Sequence, residues 1–260
     1  MITRTGVLND VHFPLNDPRL ITTEAKGLVL DIFEDAGVDR IVLNGDILDF
    51  YDISAYVKSS GKNPDVQFKL EDELQCGEDF LNNLRKRFPS AEIIWLDGNH
   101  EHRLDRFLLQ VPHFWNLLRI QNMLPFEKCN VEYHPYNSRI QLEDTSLYVQ
   151  HSPPSYSENG ASTSLKKKFD QSHIWGCTHR VDSAVRTGAS GKYHEAWFNG
   201  WLGSTDLTDQ HKAVFSYVKN HQNWQNAACI VDIHDRTDFF VQQFLIKDYK
   251  TSINGVFYEG

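Results

Sequence analysis

Twelve histidines in 260 residues exceed what average composition supplies, and several stand beside Asp, Asn or Gly where an apolar run ends. Asp10 and His12 flank Val11; alternate residues of an extended segment point the same way, so a carboxylate and an imidazole there reach a common cation. Asn44-Gly45-Asp46-Ile47-Leu48-Asp49 closes a second run, with Gly45 permitting close backbone approach and the two oxygens of Asp46 able to bridge two ions. Asp97-Gly98-Asn99-His100-Glu101 offers an amide oxygen and an imidazole on a sharp turn, and His151 ends a further strand. Gly176-Cys177-Thr178-His179 repeats the alternate-residue geometry with a thiol and an imidazole, soft to borderline ligands. Each signal is common by chance; five in one order, each at the end of an apolar run, point to bound divalent metal.

Elements must carry these residues to one place. The runs Gly6 to Asp10, Ile41 to Asp46 and Ile93 to Asn99 read as strands, separated by helical periodicity over Thr22 to Ala36 and Phe68 to Phe88. Strands alternating with helices imply a largely parallel sheet, whose functional groups collect beyond the carboxyl ends of the strands. After Cys129 the pattern shifts to short alternating strands, Val131 to His134, Arg139 to Leu142 and Leu147 to Gln150, with a late pair, Ala228 to Ile233 and Asp238 to Leu245, so the second half is expected to be more antiparallel. The expected fold is a single α/β domain over residues 1–260, a two-layer β-sandwich of mixed parallel and antiparallel sheets flanked by helices. Polar stretches Tyr51 to Val66 and Ser152 to Lys168 are expected as loops bordering the site.

In this order the motifs resemble the calcineurin-like metallophosphoesterase family, of phage and bacterial type, whose pattern runs D-x-H, G-D-x-x-D, G-N-H-[D/E], H, G-H-x-H. The resemblance covers Asp10 to His179. It implies a dinuclear phosphoric ester hydrolase in which Asp10, His12 and His179 hold one ion, Asp46 bridges, and Asn99 and His151 hold the second. It further implies that His100 stands near the leaving group and that Asp49 orients a ligand from behind. One position departs: Cys177 replaces the first histidine of G-H-x-H. A thiolate there favours zinc or iron over magnesium, so the expected cofactors are two divalent ions, Mn2+, Fe2+/Fe3+ or Zn2+. Such a pair lowers the pKa of a shared water and neutralises phosphoryl oxygens. Protonated His100 can donate to the departing oxygen or stabilise its charge, and Arg103 can grip a non-bridging oxygen.

The expected substrate is a phosphomonoester or phosphodiester, extending to a nucleotide or nucleic acid. A nuclease is the second reading, held back by a net charge of -9 and the lack of a basic stripe. A reading of another class, a binding module whose metal site has decayed, draws on Cys177 alone. Specificity is expected in Tyr51 to Val66, Ser152 to Lys168 and Arg180 to His194; Tyr51 and Tyr56 could stack on a base, Lys166, Lys167 and Lys168 read as solvated, and His194 is the remaining histidine to watch. The four cysteines form no CxxC pair, which suggests reduced thiols. Without a signal sequence or a long apolar run, the expectation is a soluble, cytoplasmic protein with no membrane partner.

Overall fold

Alternation along the first strands decides the layering. In β1 (Ile2–Leu8), β2 (Arg40–Asn44) and β3 (Glu92–Leu96) successive side chains face opposite sides. Leu8, Leu43 and Trp95 join one buried cluster, while Val7, Val42 and Ile94 join another. Both faces being covered, the strands read as continuous apolar runs. The computed structural model describes residues 2–54, 69–157, 159–167, 171–204 and 223–260.

On the first face pack α1 (Leu28–Ala36), α2 (Leu70–Arg87) and α3 (Glu101–Leu108), through Phe33, Phe80, Leu84 and Leu104 among others; a short α4 (Ile120–Met123) lies beside them. The opposite face meets a second sheet: Ile140, Leu147, Val149 and Ile174 share a buried cluster with Val7, Val42 and Ile94. That sheet runs β5 (Ile140–Gln141), β6 (Leu147–Gln150), β7 (Ser172–Trp175), β9 (Tyr193–Asn199), β8 (Val181–Thr187). Its outer face is covered by α5 (Gly160–Lys167), whose Ala161 and Leu165 pack on Trp175, Ala196 and Phe198. The molecule is thus a mixed α/β protein of two stacked sheets with helices outside both.

The first sheet has six strands, in the order β11 (Asp238–Ile246), β10 (Asn226–His234), β1, β2, β3, β4 (Val131–His134). Antiparallel pairing prevails after Cys129, as expected, and the exceptions are local. The strand at Val131–His134 pairs parallel with β3 and extends the first sheet rather than opening an antiparallel half. The late pair also joins the first sheet, β10 lying antiparallel to β1. In the second sheet β6–β7 and β7–β9 are parallel, and only β5–β6 and β8–β9 are antiparallel. A hairpin of β12 (Lys250–Ile253) and β13 (Val256–Glu259) completes the described strands. The first predicted helix begins at Leu28 instead of Thr22, because Gly27 at φ 115 breaks the approach, and Ser152 to Lys168 contains α5 where a loop was expected. Most of Tyr51 to Val66, including Tyr56, lies outside the described residues, as do Phe68 and Lys168. Among the described residues no helix is long and apolar enough to cross a membrane.

Register puts the strand ends level. Leu8 pairs with Leu43 and Asn44 with Leu96 in one sheet; Gln150 pairs with Trp175, and Trp175 with Phe198, in the other. The carboxyl ends of these six strands, parallel within each sheet, therefore meet at one edge of the sandwich, where loops rather than ladders must satisfy the backbone.

Candidate metal centre

At that edge the chain turns sharply, and the turns present the functional side chains. Asp10 (φ 52), His12 (φ 55), Asp46 (φ 51), Cys177 (φ 67) and His179 (φ 56) all adopt left-handed backbone. This corrects the expectation that Asp10/His12 and Cys177/His179 lie on extended segments. They come together because each sits on a bend, at a cost of roughly 1–2 kcal/mol per L-residue, and Asp, Asn and His tolerate that region better than most. Backbone bonds over-determine the conformation: Asp10 N–H donates to Gly45 O (3.0 Å), His12 N–H to Asp46 O (3.0 Å), and Leu202 N–H to Asp10 O (3.0 Å).

Asp10, His12 and His179 form one set of ligand atoms lying within 4.8 Å of one another. His179 Nε2 is 3.2 Å from Asp10 Oδ1 and 3.1 Å from His12 Nε2. The Asp10 carboxylate is aimed by Asn9 Nδ2 (2.5 Å) and Cys177 N–H (2.8 Å), while Asn9 also donates to Gly200 O (2.8 Å) across the two sheets. Asp46, His151 and Cys177 form a second set. His151 Nε2 is 3.2 Å from Asp46 Oδ2 and 3.3 Å from Asn99 Oδ1, and Cys177 Sγ is 2.8 Å from Asn99 Oδ1. Asp46 Oδ2 also lies 4.0 Å from His12 Nε2, so one oxygen stands between the sets. All seven residues that the motifs singled out as ligands converge here.

The donor chemistry fits a cation. Asp49 Oδ2 takes the Nδ1 proton of His12 (3.0 Å), and the Asn44 carbonyl takes that of His151 (2.7 Å). In both rings Nε2 is therefore the atom turned to the centre, where it meets carboxylate and amide oxygens, which only accept. Lone pairs facing lone pairs require a positive ion between them, a proton or a metal. The titration directions express the same demand. Burial pushes the His12 imidazole down, yet Asp10, Asp49 and Asp46 lift it to about 10; burial likewise opposes His151, and Asp46 and Cys177 raise it well above normal. Burial would raise the carboxyls of Asp10, Asp46 and Asp49, and the surrounding imidazoles outweigh it, holding all three below the usual carboxylate range. His179 is lowered, burial outweighing Asp10.

His100 and Arg103 border these sets on a cleft of about 240 Å³ that also reaches Asn99, Cys177 and Trp224. A guanidinium only donates, so the 2.9 Å contact from Arg103 Nη2 makes His100 Nε2 an acceptor, and His100 Nδ1–H donates to the Asp49 carbonyl (2.9 Å). Arg103 Nη1 donates to the same carbonyl (2.8 Å). In this arrangement His100 Nε2 has no proton to offer into the cleft; it holds the Arg103 guanidinium, which can donate hydrogen bonds there without releasing a proton.

Two supporting groups escaped the sequence reading. Buried Glu101 accepts four backbone N–H bonds, from Asp46 (2.9 Å), Ile47 (2.7 Å), Leu48 (3.0 Å) and Gly98 (2.8 Å), tying the two turns that carry Asp46 and Asn99. Glu73 on α2 does the same for Phe50 and Tyr51 beyond Asp49. Neither carboxylate looks unusual in an amphipathic segment. Closeness also demands glycine at two points: a Cβ on Gly98 would lie 2.1 Å from Asp46 Oδ1, and one on Gly45, 2.5 Å from His151 Nδ1. The aromatic residues Trp201 and Trp224 were missed as well. Trp201 stacks on His179 (5.0 Å, 11°) and Trp224 meets its edge (4.5 Å, 73°), setting that ring's orientation. The signal for Trp201 was present: Trp197-Phe198-Asn199-Gly200 is one more apolar run ending in Asn-Gly, like Asn44-Gly45.

Other expectations do not reach the site. His194 lies on β9 opposite Arg186, at the far end from Asn199. Tyr51 is half-buried and does not line the cleft. Lys166 and Lys167 end α5, with Lys167 Nζ donating to Pro154 O (2.8 Å). Of Arg180 to His194, most forms the β8–β9 hairpin leading away from the cleft.

Cation binding is expected to be visible as stability. At a free ion concentration a hundredfold above Kd, each site adds about 2.7 kcal/mol, or roughly 5–10 °C in Tm. Scanning fluorimetry with Mn2+ or Zn2+ against excess EDTA measures it, and an unchanged Tm contradicts the metal assignment. No protein-family model matches the chain, and a search of curated proteins finds no match.

Proposed function

We propose that this protein is a dinuclear metal-dependent hydrolase of phosphate esters. The observation that carries the reading is Asp46 Oδ2, which stands within 4.0 Å of His12 Nε2 and 3.2 Å of His151 Nε2 and so joins two ligand sets at one carboxylate. Asp10, His12 and His179 would hold one ion, Asn99, His151 and Cys177 the other, with Asp46 shared. Bound there, two cations would supply an activated water and positive charge against the phosphoryl oxygens.

The protein's own groups do the rest. Asp49 fixes the tautomer of His12 from behind and anchors both His100 and Arg103 through its carbonyl, which keeps ligand and rim in one rigid unit. Arg103, at the cleft wall, offers a planar pair of donors that suits a tetrahedral anion. His100 positions that guanidinium by accepting from Nη2. The thiol of Cys177 makes manganese, iron or zinc better matches than magnesium. The scaffold reading drew on Cys177 as a lost ligand, and its Sγ lies among the ligand atoms instead.

The test is elemental analysis together with hydrolysis of bis-p-nitrophenyl phosphate and p-nitrophenyl phosphate in added Mn2+, for wild type, His100→Ala and Cys177→Ala. Two ions per chain with turnover are expected in the wild type. His100→Ala should keep both ions and lose about a hundredfold in kcat, the cost of releasing Arg103 from its position; Cys177→Ala should lose an ion. No ion and no turnover of either ester in the wild type overturns the proposal.

A further inference from the structure

We propose that the ester is a phosphodiester bearing a planar ring on each side of the phosphate, as a dinucleotide or single-stranded nucleic acid presents; this rests on the phosphoesterase reading of the same site. Two aromatic side chains bracket the ligand array at opposite ends. Trp224 lines the cleft and packs against His179, the ligand of the first set, and against Trp201 (4.9 Å, 63°). Tyr156 is 56% exposed, with its hydroxyl 3.9 Å from Sγ of Cys177 in the second set. Its backbone is held by Arg180, whose Nη2 donates to Tyr156 O (2.7 Å).

An exposed tyrosine pinned from behind and turned inward at its tip is a stacking platform. Every nucleobase has a π-face, so two such rings separated by a phosphate-binding centre grip a strand without reading its sequence. A simple monoester leaves one ring without a partner. The cleft, about 240 Å³ and lined by Trp224 and Cys177, accommodates the phosphate, with Trp224 on its wall and the Tyr156 hydroxyl reaching its Cys177 side. A net charge of -9 disfavours tracking a duplex backbone, whereas one guanidinium, Arg103 at the cleft wall, serves a single phosphate. The stacking role weighed for Tyr51, which does not line the cleft, is assigned to Tyr156 and Trp224 instead.

The experiment compares thymidine p-nitrophenyl phosphate with methyl p-nitrophenyl phosphate on Mn2+-loaded protein. Both release the same leaving group, and only the first carries a second ring. Calorimetric binding of a phosphorothioate analogue of thymidylyl-thymidine is measured in parallel. We expect kcat/KM roughly tenfold or more higher for the thymidine ester, a ratio that collapses in Tyr156→Ala and is retained in Tyr156→Phe, with binding of the analogue following the same order. Equal kcat/KM for both esters in the wild type overturns the two-ring proposal and leaves the hydrolase standing. Tyr156-dependent binding without hydrolysis of either ester supports the two rings and removes the hydrolase. Neither binding nor hydrolysis overturns both.

Discussion

Asp46→Asn is expected to empty both cation sites and lower turnover by roughly a thousandfold or more, the several kcal/mol that metal ions contribute to a phosphoryl transition state. Oδ1 of Asp46 accepts the His100 N–H (2.8 Å), and Oδ2 faces His151 Nε2 (3.2 Å), His100 Nε2 (3.7 Å) and His12 Nε2 (4.0 Å). An amide has one oxygen. Kept on the His100 N–H, it turns an NH2 toward the centre, where a cation belongs; flipped, it sets two donors against each other at the base of the Asn99 turn. Either choice removes the negative charge that both ligand sets share. Elemental analysis beside p-nitrophenyl ester turnover reads the outcome, with circular dichroism to verify folding. Retention of two ions with turnover within tenfold of wild type would sink the bridging assignment.

The second large effect is on stability. Glu101→Ala should destabilise the fold by at least about 4 kcal/mol, because each buried donor left unsatisfied costs about 1–3 kcal/mol and four backbone N–H groups lose their acceptor. In a domain of this size that is a fall of roughly 8–16 °C in Tm. Glu101→Gln separates charge from shape. Ile47 and Leu48 donate to Oε1, and Asp46 and Gly98 to Oε2, so the amide serves one pair and opposes the other, giving about half the loss. Metal content should fall in both variants, since this carboxylate holds both turns from beneath by their backbone N–H groups, while the remaining ties, from the His100 N–H to Asp46 and from the His100 and Arg103 side chains to the Asp49 carbonyl, lie above it. Thermal denaturation in EDTA isolates the fold term; a Glu101→Ala protein melting within about 2 °C of wild type, under 1 kcal/mol, contradicts the role.

What the chain determines by itself is chemistry and position along strands. Asp10, Asp46, Asn99, His151, Cys177 and His179 were legible because a parallel strand buried on both faces must be apolar, and the first polar residues after it fall at its carboxyl end. That placement needs no knowledge of neighbours. Which strands are neighbours is another matter: Val131–His134 and Asn226–His234 read as strands equally well whether they extend the first sheet or build the second, and long-range pairing decided for the first.

The same division runs through the site. Residue types named the ligands, but an extended reading of Asp10-Val11-His12 could not reveal that both ends adopt positive φ, since such strain survives only where surrounding hydrogen bonds enforce it. Glu73, Trp224 and Tyr156 act through partners distant in sequence or through ring contacts, and nothing local to them marks the role; Glu101 ends the Asp97–Glu101 motif and Trp201 follows an apolar run ending in Asn-Gly, yet what each touches is decided largely by distant residues. Tertiary structure alone brings a Glu101 carboxylate beneath two turns, faces His12 and His151 across one oxygen of Asp46, and sets a ring at each end of the array. The reason is physical: strand ends are written in the order of residues, whereas their convergence arises from two sheets stacked so that their carboxyl edges coincide.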